Sequence, residues 1–557
     1  MSVLTPKVKI SGLLLLLLAT HCLFSLSFND DAPPEELAVL LTAAMSDEQA
    51  LAQTFMLGWV GSEPSPLIME WIKNRNIGGV KIFGWNTDDT LKLARTVGEL
   101  QENSLDAGFG IPLFVATDQE GGLVRHVKGA TSETPGNMAI GASGRPMDAY
   151  WAGYYIGKEL SLVGVNMNFA PSVDLFTNRY STLIGPRSFG SDPAQAGILG
   201  AAFAKGQRET GIIATAKHYP GHGDTDMDSH GVLPIIDAPF ELLWERELVP
   251  YRLLAKEGLP AVMSGHLAFP NTPAGQTPAS LSPWFLNYLL REKIGFSGLI
   301  ITDDLMMNGA TNFAGSLSRA AKQALLAGND IIMLSKTPVL NDAVWTYLAS
   351  SMRDEPLFRL RVRDACRRIL TIKLEYLRGE KKVPFVPDLK KIEEGLSDSE
   401  SATFFLGLAA RSVTVIDGKN TLPLKAENAG RVLLAGNFSD FFTMGRRAFP
   451  GAISFWYDAS QSANDIIPYA RNVDTIVFCL SDRTGIRILQ QLRALNKKLI
   501  IFSVLSPVYL DEVPWADAAV AVYSYSSESF IAGFSAILGR ISGEGRLPFT
   551  LNGPFHE

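Results

Sequence analysis

From about residue 45 to residue 380, short apolar runs alternate with amphipathic stretches. The runs fall at 55–60, 79–83, 112–117, 165–169, 212–216, 261–264, 299–302 and 330–334, eight in all. Most are nearly unbroken in hydrophobicity and are flanked by Gly, Pro, Asn or Asp. That is how strands buried on both faces of a parallel sheet read. Helical periodicity lies between most of them. Within 192–211, Ile198 pairs with Ala202 and Leu199 with Phe203 at a spacing of four, one face of a helix. A further helix opens at Ser46, where Ser46 and Gln49 have the spacing of a capping box.

Eight parallel strands with helical crossovers predict an α/β fold, a (β/α)8 TIM-like barrel over 35–380, with an open doubly wound sheet as the alternative. The polar residues favour the barrel. Asp118 and Glu120 follow the third run, Asp174 the fourth, Lys217 and His218 the fifth, His266 the sixth and Asp303 the seventh. Barrel enzymes assemble their sites at that carboxyl-terminal rim.

A long helical stretch at 342–377 closes this region, and KKVPFVPDLKK begins a linker over 381–397. Beyond it, candidate strands at 413–416, 431–435, 475–480, 499–504 and 518–523, with helical patterns at 485–495 and 529–538, predict a smaller α/β sandwich over 398–557. Asp482 and Arg483, at a strand end, read as turn formers. A chain of 557 residues exceeds one ordinary core, in keeping with two domains. The net charge of −7 and the lack of a long basic run argue against nucleic acid as a partner.

The first residues read as a targeting segment. Lys7 and Lys9 precede an apolar block that includes 13–18, Ser25 and Ser27 form a small-x-small site, and polar residues start at Asn29 and Asp30. Residues 1–27 are therefore expected to be an export signal, placing the protein in the periplasm or cell envelope. Left uncleaved, the segment is just long enough to anchor in a bilayer, the one route to membrane contact. Cys22 raises a lipoprotein option, though His21 before it and the apolar residues after it fit poorly. Of the remaining cysteines, Cys366 and Cys479 fall in different domains within apolar-patterned segments. Buried free thiols are expected, not a disulfide, and no zinc spacing exists.

The densest chemistry lies at 217–234, KHYPGHGDTDMDSHGVLP. Asp224, Asp226 and Asp228 begin like a calcium loop, but Ser229 and Ile235 stand where that loop needs Gly and an acid. His218 and His222 have a helical spacing, yet Pro220 and Gly221 between them oppose a helix. Neither a metal nor a cofactor is expected. A polar loop satisfying its own backbone accounts for single residues such as Asp224 or Asp226. Proton transfer accounts better for the whole. In extended backbone Asp228 and His230 point the same way, so the carboxylate can orient the ring and favour its charged form. The partner carboxylate is expected to be Asp303, in GLIITDDLMM at 298–307, with Asp304 better suited to cap the helix that follows.

Several stretches together resemble the family 3 glycoside hydrolases, specifically NagZ-type β-N-acetylglucosaminidases. They are ATDQEGGLVRH at 116–126, NFAPSVDL at 168–175, IGPRSFGSDP at 184–193, the 217–234 segment, VMSGHLAFP at 262–270 and ITDDLMM at 301–307. LAARSVTVIDGKNTLPL at 408–424 and GRLPFTL near the end look like the second domain of two-domain members. The resemblance implies Asp303 as nucleophile, His230 as acid/base and Asp228 as its dyad partner. It implies sugar binding by Asp118, Arg187, Lys217 and His218. Many single-domain members carry Arg where this chain has His126, with Arg125 adjacent, so that contact is open between Arg125 and His126. The implied reaction is retaining removal of terminal β-linked GlcNAc from glycans or muropeptides through a glycosyl-enzyme intermediate.

Three alternatives stand beside this reading. A β-glucosidase or β-xylosidase of the same family would typically draw a Glu acid/base from the second domain. A phosphorylase would gain from a neutral imidazole, which repels phosphate less than a carboxylate does. A non-catalytic exported sugar-binding protein would use the barrel as a scaffold.

Overall fold

The structure, a computed structural model, describes residues 26–225, 227, 231–417, 419–425, 427–458, 460 and 463–553. Most of the expected export signal lies outside these residues. Eight parallel strands close a barrel: β1 (Phe55–Gly58), β2 (Gly79–Lys81), β3 (Phe114–Thr117), β6 (Met167–Asn168), β7 (Ile213–Tyr219), β8 (Ala261–Ser264), β9 (Leu299–Asp304) and β10 (Ile331–Leu334). Each falls on one of the eight apolar runs. A two-stranded hairpin, β4 (Gln119–Gly121) and β5 (Val124–Arg125), stands on the rim after β3. The open sheet considered as an alternative is excluded, because β1 pairs with both β2 and β10.

Strand alternation divides the barrel residues into two cores. Met56, Phe114, Ala116, Met167, Met263, Leu299, Ile301 and Met333 face inward and fill the interior. Their neighbours Phe55, Leu57, Val115, Val262, Ile300, Ile332 and Leu334 face outward against the helices. The inner core continues into Leu37 and Leu41 of the helix Pro34–Ala44 and Cys366, Leu370 and Leu374 of the helix Pro356–Tyr376. Together these two helices plug the amino-terminal end of the barrel, so only the carboxyl-terminal rim is open. The helix starting at Ser46 carries the expected capping box, and Asp192 caps the helix Pro193–Glu209. The helical stretch expected at 342–377 is two helices, Ala343–Asp354 and Pro356–Tyr376, broken where Pro356 starts a new first turn.

The second domain holds a six-stranded sheet of β11 (Thr414–Ile416), β12 (Val432–Gly436), β13 (Ile453–Trp456), β14 (Thr475–Leu480), β15 (Lys498–Ser503) and β16 (Ala518–Ala521). Its order is β11-β16-β15-β14-β12-β13, all parallel except β11. The sequence pattern misses β13. It is an edge strand with Ile453 and Trp456 exposed, so it lacks the continuous buried run that marks the others. Helix Ser399–Ser412 joins the domains: Phe405 and Leu408 pack into the barrel-side core, Ala409 into the core of the second domain. Arg411 on the same helix forks onto Asp148 of the barrel at 2.6 and 3.1 Å. At Gly190 the chains approach so closely that a Cβ would lie 2.3 Å from the Pro548 carbonyl oxygen, and only glycine fits. Cys366 and Cys479 are buried free thiols.

Lys373 is an oddity of the barrel floor. Its ammonium is wholly buried, donates to Gln53 Oε1 at 2.9 Å and lies 5.0 Å from the Phe114 ring, and burial lowers its pKa to about 7. The unfolded chain, with Lys near 10.4, binds the proton first, so this group costs stability progressively as pH falls from about 10 to about 7. Lys373→Met should raise the unfolding temperature at pH 7 and leave it nearly unchanged at pH 10. A calorimetric pH series checks this; an equal shift at both pH values would contradict it.

Candidate active site

Six of the eight barrel strands deliver charged or polar side chains to the open rim. β3 ends at Thr117 and presents Asp118; the hairpin that follows carries Glu120 and returns the chain to His126, whose N–H donates to the Asp118 carbonyl at 3.1 Å. β7 supplies Lys217 and His218. Adjacent residues of a regular strand face opposite ways, but the β7–β8 register shifts between Ala216 and Tyr219. Through that irregularity both side chains reach acidic partners.

Five charges form a buried chain. Lys81 lies 2.6 Å from Asp118, Lys217 bonds Asp118, and Lys217 also lies 2.6 Å from Glu120. Arg187 then forks onto Glu120 at 2.9 and 2.7 Å. Burial alone would raise both carboxyls. Lys217 and Lys81 instead hold Asp118 well below its ordinary range, and Arg187 with Lys217 draws Glu120 down to about 2. Lys217 and Arg187 are raised in turn: burial opposes their charge, and the carboxylates outweigh it. For Lys81, burial outweighs Asp118 and the net direction is down.

Asp174 anchors the next part. It accepts from Ser172 Oγ at 3.1 Å, from the backbone N–H of His222 at 2.7 Å and of His218 at 3.2 Å, and it meets His218 Nδ1 at 2.7 Å. Its carboxyl is held far down despite burial by His218 and these donors. With Nδ1 fixed on Asp174, the other ring nitrogen of His218 is left for a ligand.

Asp303, the next-to-last residue of β9, faces this assembly. Burial pushes its carboxyl up, but His218, His266, the Asp304 N–H at 2.8 Å and Lys217 together bring it below the ordinary value. It is an ionised, partly exposed carboxylate among cations and imidazoles, as a nucleophile should be. His266 beneath it is locked: Nδ1 meets Ser280 Oγ at 2.7 Å and Nε2 donates to the Asp304 carbonyl at 3.0 Å. Burial lowers its pKa, so the ring is neutral.

Some sequence expectations need correction or completion. Asp304 caps no helix: the helix Asn308–Ala314 begins after a turn, with Met307 at its cap, and Asp304 accepts instead from the N–H groups of Met306 and Ser335 at 3.0 and 3.1 Å. Asp482, read as a turn former, caps the helix Arg483–Leu492. Of the pair Arg125 and His126, the structure brings only His126 to the site, 3.7 Å from Asp118 and 3.4 Å from Lys81. Burial, then Lys81, depress that imidazole to about 4 against the pull of Asp118. Arg125 turns away to Thr131 and Glu133. Asp224 pairs with Arg246 at 2.5 Å. Asp226, Asp228 and His230 lie outside the described residues. Lys81 and Glu120 were not assigned roles from sequence. A lysine inside the apolar run at 79–83 was the available signal, since a buried strand keeps Lys only with a partner.

Residues 48–372 match the glycosyl hydrolase family 3 N-terminal domain. The chain belongs to this family and is a glycoside hydrolase. It is 35% identical over 274 residues to a β-hexosaminidase of Thiobacillus denitrificans, covering 48% of this chain and 74% of that protein. Over 285 residues it is 34% identical to β-hexosaminidase A of Pseudoalteromonas piscicida, covering 48% of this chain and 47% of that protein, so this relative is matched over about half its length. In structure it is similar to a family 3 β-N-acetylglucosaminidase from Paenibacillus, with a TM-score of 0.82, 27% identity, and 91% and 99% of the two chains covered.

The charge chain sets an acid limit. Unfolded Glu titrates near 4.3. The stabilisation from ionised Glu120 is full above that pH and is lost as pH falls toward about 2. Glu120→Gln should therefore lower stability at pH 7 by roughly 3 kcal/mol and match wild type near pH 2. Denaturant titrations at the two pH values measure the difference; an undiminished gap at low pH would count against the assignment.

Proposed function

We propose that this chain is an exported, retaining exo-β-N-acetylglucosaminidase that removes terminal β-linked GlcNAc from peptidoglycan fragments. The observation that carries the reading is Asp303, held ionised at the mouth of a barrel beside a ring of fixed sugar-binding groups. The activities named for the similar proteins support the substrate. The signal-like segment at 1–27 supports export.

In this reading the terminal sugar sits over the rim with its hydroxyls on Asp118, Lys217, Arg187 and His218. Asp303 attacks the anomeric carbon, and the leaving oxygen takes a proton. The acid must be protonated near neutral pH. Asp118, Glu120 and Asp174 are all held ionised, and His126, His222 and His266 are all depressed, so none of these six is suited to it. We assign the role to His230, as the family resemblance implies, with Asp228 orienting its ring and favouring the imidazolium. Neutral His230 then activates the water that releases the sugar from Asp303. Fixed hydroxyl contacts hold the ring for in-line attack.

Turnover of p-nitrophenyl β-GlcNAc tests the activity; a folded protein without turnover would end the proposal. Asp303→Ala should abolish it. His230→Ala should slow substrates with poor leaving groups about a hundredfold while activated aryl substrates lose far less, because only the former need the proton. His218→Ala should slow both kinds alike, as expected of a residue that binds the sugar. Equal losses on both substrates for His230→Ala would remove it from the acid role.

A further inference from the structure

The closed end of the barrel, opposite the mouth, carries features that packing does not explain. The helix Pro356–Tyr376 lays Cys366, Leu370 and Leu374 against the barrel interior, so its other side looks outward, away from the mouth. Leu357 and Leu360 lie one turn apart on that outward side. They are 79% and 64% exposed, and Leu357 is the most exposed large apolar side chain among the described residues. On the helix Pro34–Ala44, which packs beside it, Val39 and Leu40 are exposed as well. Single apolar residues are ordinary on a surface, but four on two neighbouring helices of one face mark a contact area.

Farther along the same helix the surface turns polar, with both signs of charge. Arg367 and Arg368 share Asp364 at 2.8 and 3.1 Å, and Arg361 reaches it at 3.6 Å. A cavity of about 350 Å³ opens beside them, lined in part by Arg367, Arg368, Thr371, Glu375 and Glu35. Burial, then the nearby Glu35, raise the Glu375 carboxyl, so a cation placed there would relieve it. Two guanidinium groups and two carboxylates in one small cavity suit a group that carries a phosphate and an ammonium together.

The amino-terminal part of the chain arrives at this same end. Phe28 is buried there, and its N–H donates at 3.0 Å to the carbonyl of Phe109, just ahead of β3. Arg378 donates to the carbonyls of Asp30 and Ala32 at 2.7 and 2.6 Å. The leucine run at 13–18 ends ten positions before Phe28. Ten residues span about 35 Å at full extension. With that run inserted in a bilayer, the closed end of the barrel would be held close to the lipid headgroups.

We propose that the closed end of the barrel is a membrane-facing surface. Leu357 and Leu360, with Val39 and Leu40, enter the headgroup layer of a phospholipid bilayer. The adjoining cavity takes a zwitterionic headgroup, its phosphate on Arg367 and Arg368 and its ammonium on Glu35 and Glu375. Apolar side chains flanked by cations are what hold a protein in the interface. A tether and such a patch acting together bind more firmly than either alone. The inference rests on the export proposed above and not on the activity. It sets the barrel with its mouth turned away from the lipid, open to glycan.

The test uses the full chain reconstituted in vesicles of phosphatidylethanolamine and phosphatidylcholine that contain a lipid with a nitroxide on its headgroup. A fluorophore is attached through Leu360→Cys or, at the mouth, through Leu123→Cys, in a Cys22→Ala background. Cys366 and Cys479 are buried and stay unlabelled. The nitroxide should quench the label at 360 several-fold more than the label at 123. Adding Leu357→Ser, or Arg367→Gln together with Arg368→Gln, should weaken the quenching at 360, with unchanged thermal melting showing that each variant is folded. Equal quenching at the two positions, or quenching at 360 that neither set of substitutions moves, overturns the inference. So does a label at 360 that is shielded only as protein concentration rises, which would assign the face to a second copy of the chain. Turnover of p-nitrophenyl β-GlcNAc reads the proposed activity separately: its absence leaves the quenching result standing, and unquenched label leaves the activity standing.

Discussion

One lysine holds the catalytic end of the barrel together. Lys217 is buried between Asp118 and Glu120, and each carboxylate has a second cation beyond it, Lys81 on one side and Arg187 on the other. Taking such charges out of water is costly, and the cost is offset only when every member is paired in good geometry. The alternation meets that condition. It also fixes parts of β2, β3, the β4–β5 hairpin, the Gly185–Arg187 turn and β7 relative to one another. The groups proposed to bind the sugar are thus positioned before any ligand arrives, as preorganisation requires.

Around this chain the rim sorts its titratable groups into two fixed kinds. Carboxylates beside cations stay charged, while imidazole rings such as half-buried His126 and buried His266 stay neutral. Asp303 gains from both. Cations stabilise its charge, yet its only direct hydrogen bond among the described residues is to the Asp304 N–H, which leaves an oxygen for chemistry. His222 follows the same pattern, its pKa lowered to about 4 by burial. Its ring stands edge-on to His218 with both nitrogens buried and without a hydrogen-bond partner among the described residues, while its backbone N–H serves Asp174.

Much of this was legible in the sequence for a simple reason. Parallel barrel strands are buried on both faces, so each produces an apolar run, and every one of the eight runs became a strand. The rim residues were readable because a charge directly after such a run has no place in the core. Legibility failed where burial and pattern part company. Exposed β13 leaves no run, and Lys81 hides within one. The direction of Arg125 could not be read either, because a two-residue strand and its turn decide whether it or His126 faces Asp118. Asp304 looked like a cap because the turn before the next helix leaves no mark in the sequence.

The two helices that plug the barrel floor have a kinetic consequence. With one end sealed, everything that enters the rim must leave by the same mouth. In the proposed retaining reaction the aglycone departs first and the water arrives behind it. The severed sugar would then go last, and until it did the pit would be closed to the next chain end.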